Sequence, residues 1–117
     1  MPAGHRQERV ADQIRSEVAG IIETELRDPR IGFSTVTRVE VSADLGHARI
    51  LVSVLGSEEI PEKSLEGLNS AAGYVRREIT HRLRLRRAPE ISFVLDRGLA
   101  EGERIEALLQ KLHTEEK

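Results

Sequence analysis

The spacing of apolar residues changes period along this chain, and the order of those changes leaves few folds open. Over residues 7–26, Val10, Ile14, Val18, Ile21 and Ile22 recur at intervals of three and four, the stripe of an amphipathic helix. Asp28-Pro29 closes it, because proline disfavours a helical residue before it. The period then drops to two. Ser34–Val41 is rich in β-branched residues. Residues 47–55 place Ala48, Ile50, Val52 and Val54 on one face, with Leu51 and Leu55 on the other, so that face is expected to be partly covered as well. Asp44-Leu45-Gly46 between them reads as a hairpin turn. Residues 56–63 read as a loop. The helical period then returns in two pieces. Leu65, Leu68 and Ala72 form the first stripe; Val75, Ile79 and Leu83 form the second, which is expected to run on until Ala88-Pro89. Glu90–Leu95 is a third strand with Ile91, Phe93 and Leu95 on one face, and Asp96-Arg97-Gly98 is a turn. A short last helix, about 101–113, carries Ile105, Leu108, Leu109 and Leu112, and the polar tail 114–117 is expected to fray.

The pattern predicts one α+β domain spanning residues 1–117, with an ordered core over about 6–98 and helices laid across one face of a small mixed sheet. A chain of 117 residues buries roughly two thirds of its unfolded surface, enough for a real core. Its chemistry is restricted by what it lacks. With no cysteine there are no disulfides, thiolate metal sites or thiol catalysis. His5, His47, His81 and His113 are scattered without HxxxH or HExxH spacing, so no metal is expected. No GxSxG elbow or glycine-rich phosphate loop is present, which argues against an enzyme, a cofactor or a small-molecule substrate. Phe33, Tyr74 and Phe93 are the only aromatics, too few for a sheet that stacks bases. The N-terminal MPAGHRQERV has no apolar signal core, and no segment approaches the ~20 apolar residues of a membrane span. A cytoplasmic protein without membrane contact is the expectation.

Against a formal net charge of -2, the segment SAAGYVRREITHRLRLRR stands out. Arg76, Arg77, Arg82, Arg84, Arg86 and Arg87 crowd into it with one acid, Glu78, and His81 adds charge at low pH. Such a cluster on a near-neutral chain points to a polyanion, a nucleic-acid backbone above all. Part of it has a plainer reading. Glu78 and Arg82 are an i, i+4 pair, and Arg86 and Arg87 suit the negative end of a helix dipole. Arg6, Arg9 and Arg15 extend the positive face unless Glu8, Asp12 and Glu17 pair with them. Arg27 and Arg30 read equally as phosphate contacts or turn residues. Arg38 and Arg49 face each other across the hairpin and suit a solvated sheet surface. Ala71, Ala72 and Gly73 form a small-residue kink that sets the angle of the basic segment; on that reading, valine at Gly73 weakens both binding and stability.

Two helices joined by a small-residue turn between strands is the core of a KH domain, where a GXXG loop clamps a nucleic-acid backbone. The order helix-strand-strand-helix-helix-strand is that of the type II, bacterial form. Ser70-Ala71-Ala72-Gly73 stands where GXXG belongs, so gripping of single strands in the usual KH cleft is not expected. Three segments in this order, LRDPRIGFSTVTRVEVSADLGHARILVSVLG, NSAAGYVRREI and LRLRRAPEISFVLD, resemble the bacterial ribosome-binding factor A family across most of residues 6–112. The resemblance implies that Ala71-Ala72-Gly73 is an Ala-X-Gly replacement for GXXG. It further implies a non-enzymatic assembly factor that binds the free small (30S) ribosomal subunit and 16S rRNA late in maturation. By the same resemblance, such a factor is expected to support processing of the rRNA 5′ end and growth in the cold, and to leave before translation. Arg76, Arg77, His81, Arg82, Arg84, Arg86 and Arg87 are the expected contact face, on a monomer because like charges crowd it. A general single-stranded RNA binder and a protein-interaction module using the sheet or the C-terminal stripe are the rival readings.

Overall fold

The structure, a computed structural model, describes residues 3–57 and 59–97, with side chains from Arg6 onward. Its elements follow the expected type II KH-like order: α1 (Ala3–Thr24), β1 (Ser34–Val41), β2 (His47–Val54), α2 (Glu59–Ser70), α3 (Ala72–Arg82) and β3 (Glu90–Leu95). The helix expected at 101–113, the tail 114–117, Gly98 and the side chain of His5 lie outside the described residues.

β2 is central. It pairs antiparallel with β1, from Ser34↔Val54 to Val41↔Ala48, and parallel with β3, from His47↔Glu90 to Val52↔Leu95. Its period-two pattern has a direct consequence. Ala48, Ile50 and Val52 join Ile14, Val18 and Ile21 of α1, Leu68 of α2, Val75 and Ile79 of α3, and Phe93 of β3 in one buried core. Leu51 and Leu55 part company. Leu51 is buried on the opposite face, whereas Leu55 lies past the strand end and is 75% exposed. A β-bulge at Thr37 interrupts the β1–β2 register, and the Thr37 hydroxyl lies 2.6 Å from Asp96 Oδ2 and 3.2 Å from the Leu51 carbonyl oxygen.

Two sequence expectations fail at helix ends. Residues 59–63 are not loop but the first turns of α2. Pro61 is tolerated there because an N–H in the first turn has no intrahelical acceptor to lose. Glu59 and Glu62 also favour the positive end of the helix. At the other side, α3 stops at Arg82, well short of Ala88-Pro89. The Leu85 N–H bonds the Thr80 carbonyl at 3.0 Å and the Arg84 N–H bonds the His81 carbonyl at 3.3 Å, which is a Schellman closure. Arg84 takes the left-handed position with φ 52°. That site normally belongs to glycine, and an L-residue there costs about 1 kcal/mol or more. Replacing Arg84 by glycine is therefore expected to raise stability by about 1 kcal/mol, read as a higher denaturation midpoint.

The loop after α1 is pinned onto α2. The Ser64 hydroxyl, fully buried, accepts the Gly32 N–H at 2.8 Å and donates to the Arg30 carbonyl at 3.2 Å. Arg30 forks onto the Asp28 carboxylate and reaches Ser70 Oγ at 3.1 Å. Gly67 permits this approach: a Cβ there would lie 2.7 Å from Ile31 Cγ1 and 3.3 Å from the Asp28 carboxyl carbon. Asn69, one residue before the helix end, donates its Nδ2 to the Phe93 carbonyl (3.2 Å) and accepts the Phe93 N–H (3.0 Å).

Candidate nucleic-acid interface

The early end of α3 divides the predicted basic face. Arg76, Arg77, His81 and Arg82 stand on the helix, while Arg84, Arg86 and Arg87 lie in the loop leading to β3. Arg77 and His81, four residues apart and exposed, share one side of α3. Arg76 folds back to donate to the Ala88 carbonyl at 2.9 Å, tying helix to loop. Among the described residues, Arg77, Arg84 and Arg86 make no ion pair, and Arg87 approaches Asp44 at 3.9 Å.

Arg82 is placed differently from its neighbours. It reaches Glu25 at 2.7 Å, Glu78 at 2.9 Å and Glu17 at 3.5 Å, and its side chain is 31% exposed. The expected Glu78 pair is thus one part of a network. Glu25 also accepts the Tyr74 hydroxyl, so the end of α1 is laced to α3. The Arg82 hydrogen bonds, then that of Tyr74, hold the Glu25 carboxyl below its ordinary pKa, and Glu25 in turn raises that of Arg82. A lowered carboxyl pKa contributes stability that is complete above the unfolded value of 4.5 and lost as pH falls through the folded one. Glu25→Gln is therefore expected to be less stable than the native chain at pH 7. The gap should close below about pH 4.5 in parallel thermal melts.

Other arginines weighed from the sequence have partners or stand clear. Arg49 pairs across the hairpin with Glu40, which Arg38 also approaches at 3.8 Å, as suits a solvated sheet face. Arg30 is a turn residue held by Asp28, and its hydrogen bonds lower the Asp28 pKa. Arg9, Arg15 and Arg27 make no ion pair among the described residues, so the local pairing expected from Glu8 and Asp12 does not form. Arg6 crosses from α1 to meet the loop arginines. With Arg84, Arg86 and Arg87 it rims a cleft of 320 Å³ whose wall includes Val41, Leu45 and Leu85. Sequence reasoning left this cleft unseen, although apolar Leu45 in a turn and Leu85 in an arginine run were its available signals. A larger groove of 890 Å³ between α1 and β1 holds the 74%-exposed Phe33, but Asp12, Glu23 and Asp28 outnumber Arg15 there, so it does not select a polyanion.

A family model described as ribosome-binding factor A matches residues 6–109. The chain belongs to the ribosome-binding factor A family. Curated ribosome-binding factor A proteins agree along nearly the full length. That of Thermomicrobium roseum is 50% identical over 115 residues, covering 98% of this chain and 88% of its own. That of Desulforamulus reducens is 47% identical over 112 residues, covering 96% and 93%. The solution structure of a Thermotoga maritima protein described as a ribosome binding factor A is 39% identical, with TM-score 0.71 over 84% of this chain and 92% of that one. A Thermus thermophilus ribosome binding factor A model, fitted into a map of a 30S complex, is 29% identical with TM-score 0.62, over 74% and 90%.

Where the ribosome-binding factor A resemblance places an Ala-X-Gly turn, α2 ends at Ser70 and α3 begins at Ala72, with Ala71 alone between them at φ -90°, ψ 0°. The Ala71 N–H still bonds Gly67 and its carbonyl accepts from Val75. A Cβ built on Gly73 meets nothing within 4 Å. Steric conflict within the described residues therefore supplies no reason for valine there to destabilise the fold. Among the described residues, no helix is long and apolar enough to cross a membrane and no group of histidines and carboxylates could hold a metal ion.

Proposed function

We propose that this chain is a non-catalytic factor that binds the free small ribosomal subunit through its 16S rRNA during late maturation, supporting rRNA processing and subunit assembly. Family membership along residues 6–109 carries the reading. The related Thermus protein was fitted into a map of its complex with the 30S subunit. The arginines support it chemically. Guanidinium groups stay charged at physiological pH and meet phosphates with paired hydrogen bonds.

In this reading Arg77, His81, Arg84, Arg86 and Arg87 face the RNA. Arg76, through its bond to the Ala88 carbonyl, and Arg82, through its carboxylate partners, hold the loop and the helix that present them. Ala71, Ala72 and Gly73 form the short joint between α2 and α3 that sets the angle at which the basic helix is presented. The protein acts as a single-domain cytoplasmic monomer, needs no cofactor, and matters most for growth in the cold, when misfolded RNA escapes slowly. Its mechanism is selection: it binds one RNA arrangement better than the competitors and so raises its population.

Co-sedimentation with free small subunits and with complete ribosomes across a salt series tests this. Salt-sensitive binding that favours the free subunit is expected. Equal binding to both particles would reduce the protein to a generic basic RNA binder, and absence of binding at every salt would end the ribosomal assignment.

A further inference from the structure

Three distant parts of the chain meet at the 320 Å³ cleft: Arg6 from α1, the Asp44–Leu45 turn, and the loop from Arg84 to Arg87. Its volume is at the lower end of the range of small-molecule sites. Its composition is divided. Val41, Leu45 and Leu85 offer apolar wall, while four arginines offer positive charge against one carboxylate. A phosphate alone does not need the apolar part, and a greasy peptide does not need four guanidiniums. A nucleotide uses both.

The details fit that occupant. Arg84 keeps its left-handed backbone although glycine would relieve it, and its side chain lines the cleft free of any ion pair among the described residues. The Arg87 guanidinium rests on the hairpin turn: a Cβ on Gly46 would lie 3.2 Å from its Cζ. A guanidinium plane held in this way is a stacking surface for a base in a cleft that no aromatic residue lines. Asp44 is fixed by the Ser42 hydroxyl at 2.7 Å and the Gly46 N–H at 2.9 Å, both on Oδ1. Oδ2, 3.9 Å from Arg87, is left to accept from a base. An acceptor favours bases with an exocyclic amine, which uracil lacks.

We propose that this cleft holds one unpaired nucleotide of the bound RNA, with its base between Arg87 and the apolar wall, its exocyclic amine on Asp44, and its flanking phosphates on Arg6, Arg84 and Arg86. The site lies at the far end of α3 from Ala71–Gly73, about 16 Å along the helix axis, and is separate from the position of a GXXG loop. The proposal rests on the reading that the partner is RNA of the small subunit.

The test is titration of methyl-labelled protein, followed by NMR, with each of the four nucleoside 5′-monophosphates and with inorganic phosphate. Saturable shifts of the Val41, Leu45 and Leu85 methyls are expected with adenosine, guanosine and cytidine monophosphates, weaker shifts with uridine monophosphate, and none with phosphate. Methyl shifts that phosphate reproduces, or no methyl shifts at all, overturn the pocket. Binding of free small subunits is measured on the same protein. Arg84→Gly, which favours the fold, is expected to weaken it about tenfold, the loss of one charge-assisted contact. Arg49→Gln on the opposite sheet face is expected to leave it unchanged. Unaltered subunit binding by Arg84→Gly overturns the cleft's part in recognition. Cleft shifts with mononucleotides but no subunit binding by the native protein would keep the pocket and overturn the small subunit as its partner.

Discussion

Replacing Arg77 by glutamine, Arg84 by glycine and Arg86 by glutamine together is expected to weaken binding to free small subunits roughly a hundred- to a thousandfold at physiological salt. Each lost charge-assisted contact is worth roughly 1–1.5 kcal/mol once solvent screening is allowed for, and about 1.4 kcal/mol is a factor of ten. The salt dependence should flatten by about two to three units in the logarithmic slope, because about 0.7–0.9 counterions are released per phosphate contact. None of these three arginines forms an ion pair among the described residues, so their removal leaves no carboxylate stranded. Arg82→Ala is the informative contrast. It would strand Glu25, Glu78 and Glu17 and is expected to lower the melting temperature, a change the triple variant should not show. A triple variant that binds with native affinity and native salt slope would remove the basic loop from the interface.

The largest expected loss of stability from a single surface-remote change is at Gly67. Valine there drives a branched side chain toward Ile31 Cγ1, already 2.7 Å from where a Cβ would sit, and toward the Asp28 carboxyl. Overpacking of this kind costs roughly 1–3 kcal/mol. More is expected here, because displacement of the loop also breaks the Ser64 bonds to Gly32 and Arg30. Leaving the buried Ser64 hydroxyl without partners adds about 1–3 kcal/mol. Urea denaturation should show an unfolding free energy lower by that combined size for Gly67→Val, with a correspondingly lower midpoint. Gly73→Val, at a position with open space, should show little change. Comparable losses at both glycines would contradict the packing described for Gly67.

The strands were legible because each carries its signal within itself. Ala48, Ile50, Val52 and Val54 alternate, and a half-buried strand requires that. The α1 stripe was legible for the same reason. Helix ends were harder. Pro61 resembles a breaker unless its place in the first turn is known, and the stop at Arg82 carries no glycine to announce it. Leu83 continues the Val75–Ile79 spacing, so the stripe runs one step past the helix itself. The arginine cluster was visible as a charge count, but its division was not. Whether Arg82 faces solvent depends on Glu25 and Glu17, more than fifty residues away, and whether Arg6 joins the site depends on how α1 lies against β1 and the loop. Gly67, Ser64 and Asn69 likewise have no local pattern, because their partners come from other elements.

Asn69 has a consequence for how copies of this molecule behave toward one another. In a parallel ladder alternate residues turn their backbone groups to the same side. Glu90 and Asp96 bond toward β2, so the N–H and carbonyl of Phe93 point away from it, at the open margin of the sheet. A neighbouring chain would add a strand at that margin. The Asn69 amide occupies both groups, as a strand would, but from a helix that cannot continue the ladder. One side chain thus blunts the middle of a six-residue edge against strand addition by a second copy.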